Sequence, residues 1–136
     1  MSQENVEVVL EGMEAINRRD ADAFVACLHP DVEWVESGDV FPGLRGVHRG
    51  SEGARRWFEE AILDPWERMN VDVEEFTEAS DGGVFAGFVA IARGRASGVE
   101  TELRFWTVFR FAEGKITRRQ VFWARDEALE AAGLSE

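Results

Sequence analysis

Side chains that could act as nucleophiles or as soft metal ligands are few in this sequence. It contains one cysteine and two histidines among 136 residues. Cys27 falls on the apolar face of a predicted helix, where the expected role of a free cysteine is that of a small buried residue. His29 precedes Pro30 and looks structural, and His48 lies in a glycine-rich loop. The sequence therefore predicts no metal site, and one cysteine excludes an internal disulfide.

The charge balance excludes two classes of partner. The net charge is −12, from 27 acidic and 15 basic residues. Phosphate backbones and anionic lipids both require a basic face, so neither nucleic acid nor a membrane surface is an expected partner. The chain has five Trp and ten Phe but no Tyr. Large rings without hydroxyl groups predict a dry core, a dry pocket or an apolar interface.

Length and hydropathy predict one cytoplasmic domain. A chain of 136 residues suits a single domain, residues 1–136, and no linker or repeat divides it. No apolar run follows a basic start, and no apolar window reaches membrane-spanning length.

The periodicity of apolar residues predicts that helices come before most of the strands. Helical stripes cover residues 2–18, a short stretch after Asp20, and residues 51–62. A strand at residues 32–36 and a glycine-rich loop at residues 37–50, a candidate pocket rim, lie between the second and third helices. Strands at 69–77 and 84–95, a hairpin at 103–123 and a last helix after Asp126 follow. Helices followed by grouped strands predict an α+β fold with helices packed on one face of a curved sheet.

The hairpin at residues 103–123 is apolar on both faces, so both faces must be covered. Residues 112–114, Ala-Glu-Gly, fit a three-residue loop in which a type I turn is followed by a left-handed glycine. This register places Thr107 opposite Arg119 and Phe105 opposite Val121. A two-residue turn at Glu113-Gly114 would change the register.

Several segments together carry a family resemblance. They are Asn-Arg-Arg-Asp-Ala-Asp-Ala-Phe at 17–24, His-Pro-Asp-Val-Glu-Trp at 29–34, Gly-Lys-Ile at 114–116 and the tail at 127–134. With the order of elements, they make the chain resemble the nuclear-transport-factor-2-like superfamily, and within it the SnoaL-like polyketide cyclases and ketosteroid isomerases. The resemblance implies a cone-shaped, curved mixed sheet with three N-terminal helices on its concave face. It also implies a small-molecule pocket, no cofactor and a homodimer.

The resemblance also places candidate catalytic residues. The ketosteroid isomerase base is a carboxylate in the first strand, which matches Glu36. A carboxylate in an apolar pocket can take a proton from a carbon next to a carbonyl. The two oxyanion donors of those enzymes, a tyrosine and an aspartate, match Gly12 and Thr107. Loss of one such donor costs about 10²–10³ in rate, so steroid isomerase activity is disfavoured.

One face of the hairpin is predicted to line the pocket. If Thr107 lies there, as the resemblance implies, the alternation of side chains places its whole face there. This face comprises Leu103, Phe105, Thr107, Phe109, Arg119, Val121 and Trp123. Trp34 and Trp57 either line the same cavity or fill the core. His48 is either a surface residue or a proton carrier at the pocket mouth, since histidine titrates near neutral pH.

The opposite face of the hairpin mixes apolar rings with arginines, which is typical of interfaces. It predicts a homodimer through Arg104, Trp106, Val108, Arg110, Arg118, Gln120 and Phe122.

Two main functions stay open at this point. The first is a cofactor-free isomerase, cyclase or hydratase acting on a small apolar carbonyl compound, with Glu36 as general base and Arg119 or Thr107 steadying an oxyanion. The second is a non-catalytic protein that binds a small apolar molecule, in which Glu36 forms a salt bridge to Arg119. A dimerisation or accessory role of the same fold is a third.

Overall fold

Three helices and six strands build most of the molecule, and a fourth helix ends it. The computed structural model describes residues 2–37, 42–79 and 81–134. The helices are α1 (Ser2–Arg18), α2 (Ala21–Ala26), α3 (Gly50–Trp57) and α4 (Arg125–Ala131), and a π-helical segment, Phe58–Leu63, continues α3. The strands are β1 (Leu28–Glu36), β2 (Gly46–Arg49), β3 (Trp66–Glu78), β4 (Val84–Gly94), β5 (Glu100–Ala112) and β6 (Lys115–Phe122). Residues 38–41 of the predicted loop and Ser80 of a turn lie outside the described residues.

The strands form one curved, open sheet in the order β2-β1-β6-β5-β4-β3. β1 and β6 pair in parallel, and the other neighbours are antiparallel. The mixed sheet and the helices confirm the predicted α+β class. Strand β2 was not predicted, because its four residues lie within a glycine-rich stretch. It pairs with β1 from Glu33 to Glu36 and extends the sheet at that edge.

Polar residues near the junction of α1 and α2 form hydrogen bonds with backbone groups. The Asp20 carboxylate accepts a hydrogen bond from the backbone N–H of Ala23 at 3.0 Å and caps α2. The Asn17 amide donates to the carbonyl of Val71 at 3.1 Å and accepts from its N–H at 2.7 Å. Asn17 thus satisfies two backbone groups of the edge strand β3 and ties the end of α1 to the sheet.

The main core lies between the helices and the sheet and centres on an aromatic cluster. Phe24 and Phe58 are almost fully buried, at 1% and 0% exposure. The Phe24 ring centroid lies 4.9 Å from Phe58, 5.1 Å from Trp34 and 5.8 Å from Trp57. Offset and edge-on contacts at these separations stabilise beyond the area that they bury. They hold α2, α3 and β1 against one another.

The turn of the β5–β6 hairpin differs from the predicted one. Ala112 pairs with Lys115, so the loop is the two residues Glu113 and Gly114, with φ of 56° and 75°. Two positive φ values define a type I′ turn. The prediction of a three-residue loop was wrong, because glutamate is an uncommon residue at a left-handed position and nothing in the local pattern indicates one there.

A second irregularity restores the faces of the hairpin. Arg110 pairs with Arg118 but Phe111 pairs with Ile116, which leaves Thr117 as a bulge. The turn moves the register by one residue and the bulge moves it by one more. Phe109 therefore pairs with Arg119 and Thr107 with Val121, two residues from the predicted register. Because side chains alternate with a period of two, a shift of two keeps the β6 residues from Arg118 onward on their predicted faces. Ile116, between the turn and the bulge, is shifted by only one residue and moves to the face of Phe111.

The turn gives a first testable prediction. Glu113 adopts a left-handed conformation that costs a non-glycine residue about 1–2 kcal/mol, and asparagine tolerates it better. We expect Glu113→Asn to raise the free energy of unfolding by roughly 0.5–1 kcal/mol, measured by urea denaturation. Glu113→Gln is the control, since it removes the exposed contact with His29 but keeps the backbone cost. Equal stabilisation by both variants would contradict the backbone explanation.

The outer face of the sheet is covered in part by the chain itself. Phe85, Val108, Ala128 and Ala132 form a second buried cluster between the sheet and α4, and Trp106 and Phe122 pack against it half-buried. Val108 is only 5% exposed. Its predicted place at the centre of a dimer interface is therefore corrected, because it packs under the C-terminal helix of its own chain.

The arginines predicted for the dimer face are also paired within the chain. Arg104 contacts Glu74 at 2.7 Å, Arg110 contacts Asp81 at 2.6 Å and Arg118 contacts Glu33 at 2.6 Å. These partly exposed pairs satisfy the arginines without a second copy, although each contributes little stability.

One carboxylate fastens α4 to the sheet. Glu75 accepts hydrogen bonds from Arg125 Nε at 2.7 Å and Nη2 at 2.9 Å, and from the Trp106 indole at 3.3 Å. The indole crosses the strand at Gly87, where a Cβ atom would lie 3.0 Å from its Cδ1. The hydrogen bond from Arg125 is the main reason that the pKa of Glu75 is lowered.

The contacts of Glu75 make the free energy of unfolding depend on pH. The pKa of Glu75 is lower in the folded state than in the unfolded state, where it is about 4.3. The contact therefore contributes its full stability at pH values above the unfolded-state pKa, and this contribution is lost as the pH falls through the folded-state pKa. We expect Glu75→Gln to lower the free energy of unfolding at pH 7 by about 1 kcal/mol, with the difference from wild type shrinking below about pH 4. Chemical denaturation at both pH values measures this. A difference independent of pH would contradict the electrostatic explanation.

Candidate functional site

An apolar cavity lies between the concave face of the sheet and the helices α1 to α3. Its volume is about 90 Å³. All seven hairpin residues that the sequence placed on the pocket face line it, together with Trp34, Glu36 and Trp57. The other described lining residues are Val9, Gly12, Met13, Ile16, Phe24, Cys27, Leu28, Ile62, Met69, Val71, Phe88, Ala90 and Ile116. His48 is not one of the described lining residues, and its ring Nε2 lies 2.7 Å from the Leu44 carbonyl oxygen. The placement of His48 in the pocket is therefore corrected, because it lies in the edge strand β2 and its ring contacts the segment just before that strand.

Glu36 is the acidic side chain of the described cavity wall. It is the last residue of β1, and its side chain is 2% exposed. Its Oε1 atom accepts a hydrogen bond from the Trp57 indole at 2.9 Å and lies 3.5 Å from Arg119 Nη1. The parallel pairing of β1 with β6 sets Trp34 beside Arg119, which brings the arginine within reach of Glu36.

Arg119 is buried between two indole rings. Its guanidinium carbon lies 4.7 Å from the Trp34 ring centroid and 5.1 Å from that of Trp57. Its Nη1 donates to the Val35 carbonyl at 3.0 Å. Burial lowers the pKa of the guanidinium, and the Glu36 carboxylate acts in the opposite direction. Arginine keeps its proton in proteins, so the pair is a cation beside a carboxylate.

Thr107 lies in the cavity wall, but its hydroxyl hydrogen is not available to a ligand. Its side chain is almost fully buried, and Oγ1 lies 3.4 Å from the Ala86 carbonyl, to which it donates. The hydroxyl hydrogen is thus directed at the neighbouring strand, while the oxygen lone pairs stay available. The expectation that Thr107 donates to an oxyanion does not fit this arrangement.

The remaining polar atoms of the wall are mostly engaged. The Trp123 indole donates to Ser37 Oγ at 2.9 Å. The Cys27 thiol donates weakly to the Ala23 carbonyl, and burial raises its pKa. The Trp34 indole N–H is enclosed without a partner in the part of the chain that the structure describes. Arg119 therefore supplies the charged donor of the wall, and Glu36 the charged acceptor.

Sequence reasoning missed the part of the wall that the helices supply. Val9, Met13 and Ile16 belong to the apolar stripe of α1, which periodicity identified as core-facing. The stripe faces a cavity because Gly12 lies within it, and a Cβ atom at this position would have no neighbour within 4 Å. A glycine inside an apolar helical stripe was the available signal.

Neither a metal centre nor a membrane span is found in the described ranges. Residues 2–37, 42–79 and 81–134 contain no group of three metal-ligating side chains placed to hold an ion. Within the same ranges, every helix is too short or too polar to cross a bilayer.

One family model and several solved structures are similar to this chain. The model of the SnoaL-like domain matches residues 9–119. An NTF2-like protein of unknown function from Burkholderia pseudomallei is 25% identical, with a TM-score of 0.76, over 93% of this chain and 95% of that chain. TerC, co-crystallised with polyporic acid, is 25% identical, with a TM-score of 0.76, over 96% and 98%. A Mycobacterium tuberculosis protein in complex with estradiol-17beta-hemisuccinate is 19% identical, with a TM-score of 0.75, over 90% and 95%. No curated protein matches the sequence.

Proposed function

The chain belongs to the SnoaL-like family, and from this premise we propose that it binds a small, mainly apolar molecule in the cavity between its helices and its sheet. The family hosts several activities on one fold, so the proposal rests on the cavity of this chain.

The observation that carries the proposal is the Glu36–Arg119 pair in an otherwise apolar wall. The two side chains are 2% and 8% exposed. A buried ion pair is weak evidence for stability, since well-packed apolar residues are often as good or better. A few convergent polar groups in an apolar cavity are the usual profile of a small-molecule site. Two proteins of the same fold crystallised with polyporic acid and with estradiol-17beta-hemisuccinate support the same conclusion.

The single cysteine allows a direct test of occupancy. Cys27 lines the cavity and is 8% exposed, so a bound molecule is expected to slow its reaction with a small thiol reagent. The experiment screens one-ring organic compounds and measures the rate of Cys27 modification. The control replaces Cys27 with serine and Val99, which is 58% exposed, with cysteine. The proposal predicts protection at Cys27 and none at position 99; equal rates with every compound contradict it.

A second candidate is a cofactor-free proton-transfer enzyme, and the orientation of Glu36 favours it. The contacts of its carboxylate both involve Oε1, so Oε2 can face a carbon acid while Arg119 faces the carbonyl oxygen. We expect Glu36→Gln to slow deuterium exchange next to the carbonyl of a bound ketone by at least about 100-fold, followed by NMR. Glu33→Gln is the matched control, because this residue of the same strand pairs with Arg49 and Arg118 outside the cavity. An equal rate in Glu36→Gln and wild type would exclude the base assignment.

A homodimer and a cytoplasmic location are kept as further proposals. With Val108 covered, the part of the outer face left for a partner holds Val47 at 41% exposure and the half-buried Val35 and Gln120. Analytical ultracentrifugation of wild type and Val47→Glu tests this. A monomeric wild type, or a dimer that Val47→Glu leaves intact, contradicts this interface.

A further inference from the structure

We propose that the molecule in the cavity is uncharged, close to one six-membered ring in size, and carries a hydrogen-bond donor next to an acceptor, as a cyclic 2-hydroxy ketone or a 1,2-dihydroxybenzene does. This inference rests on the proposed function and names the chemical class of the ligand. Three separate properties of the cavity carry it: its size, its charge balance and the atoms that open on it.

The size of the cavity limits the ligand to about one ring. Its volume is about 90 Å³. An engineered apolar cavity of about 150 Å³ takes up one benzene molecule, so this cavity needs a modest widening even for a single ring. The wall around it is closely packed, with Phe24, Trp57 and Phe88 all at most 4% exposed. Two fused rings would require displacement of these aromatic side chains.

The charge balance of the wall requires a neutral ligand. Glu36 and Arg119 lie 3.5 Å apart and compensate each other. The other described lining residues carry no ionised side chain at neutral pH, since burial raises the pKa of the Cys27 thiol. A carboxylate or an ammonium group in this wall would be a third charge without a partner. Burial of an uncompensated charge is strongly unfavourable even after the surroundings relax.

The open atoms of the ion pair define the hydrogen-bonding pattern. Glu36 uses Oε1 for Trp57 and Arg119, and Arg119 uses Nη1 for Glu36 and Val35. Within the described residues, Glu36 Oε2 and Arg119 Nε and Nη2 make no hydrogen bond. They are also not among the enclosed atoms left unpaired, which are Arg19 Nη1, Trp34 Nε1 and Trp66 Nε1. They therefore keep accessible surface, and both residues line the cavity. The pair thus offers the cavity an acceptor beside donors, which a neighbouring donor and acceptor on the ligand complement.

A matched series of one-ring compounds tests the class. Isothermal titration of the full chain, under nitrogen, compares catechol with phenol, benzene, benzoate, benzylammonium and 2,3-dihydroxynaphthalene. We expect catechol to bind about tenfold more tightly than phenol, because it adds one hydrogen bond to a charged group. Benzoate and benzylammonium are expected to bind at least about 100-fold more weakly than catechol. The naphthalene is expected to bind more weakly than catechol.

The outcomes separate this inference from the proposed function. If catechol, phenol and benzene all fail to bind at millimolar concentration, the proposed function itself is contradicted, and this inference with it. If phenol or benzene binds as tightly as catechol, or if a charged member or the naphthalene binds more tightly, the ligand class is wrong while the binding function stands. Glu36→Gln adds a second measurement: it should keep benzene binding and reduce the preference for catechol. An unchanged preference would overturn the role given to the open carboxylate oxygen.

A separate observation concerns the glycine inside α1. We infer that Gly12 determines specificity by keeping the cavity open. It lies in the interior of a helix of 17 residues, where glycine is less favourable than alanine. No steric reason compensates, because a Cβ atom at this position would meet nothing within 4 Å. Gly53 in α3 is different, since a Cβ atom there would lie 3.1 Å from the His48 backbone. A side chain at position 12 would occupy space in the cavity that the ligand needs.

Opposite changes in stability and binding test the role of Gly12. We expect Gly12→Ala to raise Tm by roughly 2–4 °C. We also expect Gly12→Val, which fills more of the space, to weaken catechol binding at least about tenfold. Glu11→Ala, on the exposed side of the same helix, should leave catechol binding unchanged. A lower Tm in Gly12→Ala would show that packing requires the glycine, and unchanged catechol affinity in Gly12→Val would show that the ligand does not use the space. Either result overturns the inference.

Discussion

Arg119→Met is expected to lower the free energy of unfolding by about 3–5 kcal/mol, because it leaves the Glu36 carboxylate buried without its cation. The carboxylate is 2% exposed and keeps one hydrogen bond, from the Trp57 indole at 2.9 Å. Methionine fills much of the arginine volume between the two indole rings, so the loss reports the charge more than the packing. Urea denaturation followed by tryptophan fluorescence measures it.

The double variant Glu36→Gln/Arg119→Met is the control for this prediction. It removes both charges, and the glutamine can still accept the indole hydrogen bond. Replacement of a whole buried pair is often neutral, so we expect the double variant to be more stable than Arg119→Met by at least about 2 kcal/mol. If the two variants are equally stable, the arginine contributes packing and not charge compensation. The assignment of a compensated buried pair would then be wrong.

Phe24→Ala is expected to have an effect of similar size, a loss of about 3–5 kcal/mol, through loss of packing. Phe24 is 1% exposed, and its ring stacks on the Phe58 ring with a centroid distance of 4.9 Å. It also makes an edge-on contact with the Trp34 ring. It also lines the cavity, so its removal enlarges the existing space instead of making a separate hole. We therefore expect the variant to be less stable but able to bind two-ring compounds such as 2,3-dihydroxynaphthalene.

Phe76→Ala provides the comparison for the enlarged cavity. Phe76 is half-buried, packs at the edge of the same core and is not one of the described lining residues. Its replacement should cost less stability and should not create naphthalene binding. Denaturation and calorimetric titration on both variants measure the two effects. Naphthalene binding by Phe76→Ala alone, or by neither variant, would contradict the assignment of Phe24 to the cavity wall.

Features that reduce stability converge on the cavity. The buried Glu36–Arg119 pair and the unfilled cavity both give less stability than a well-packed apolar core would give. Gly12 adds a third, since it gives up helix propensity without a packing reason. Three unfavourable choices around one cavity are expected at a functional site.

The sequence by itself determined the class of the fold and the faces of its elements. Apolar residues recur with a period of 3.6 in α1 and of two in β5, and this spacing identifies which face of each element meets the core. It does so without knowledge of the segment that packs against that face. The polar residues between α1 and α2 also act locally: Asp20 caps the helix that begins at the next residue, by accepting from the N–H of Ala23. The family resemblance, which the comparisons confirm, added the expectations for Glu36 and for the pocket side of the hairpin.

Only the tertiary structure decided the register of the hairpin and the partners of the polar groups. A period of two fixes a face but not which residue lies opposite. The turn at Glu113 and the bulge at Thr117 together shift the register by two residues, which leaves no trace in that pattern. The coverage of Val108 by α4 depends on a contact between Glu75 and Arg125, 50 residues apart in sequence. The contact of Glu36 with Arg119 likewise joins distant segments and depends on the parallel pairing of β1 with β6. Burial, hydrogen-bond partners and free space arise from segments far apart in the chain, and the cavity of this protein is formed by them together.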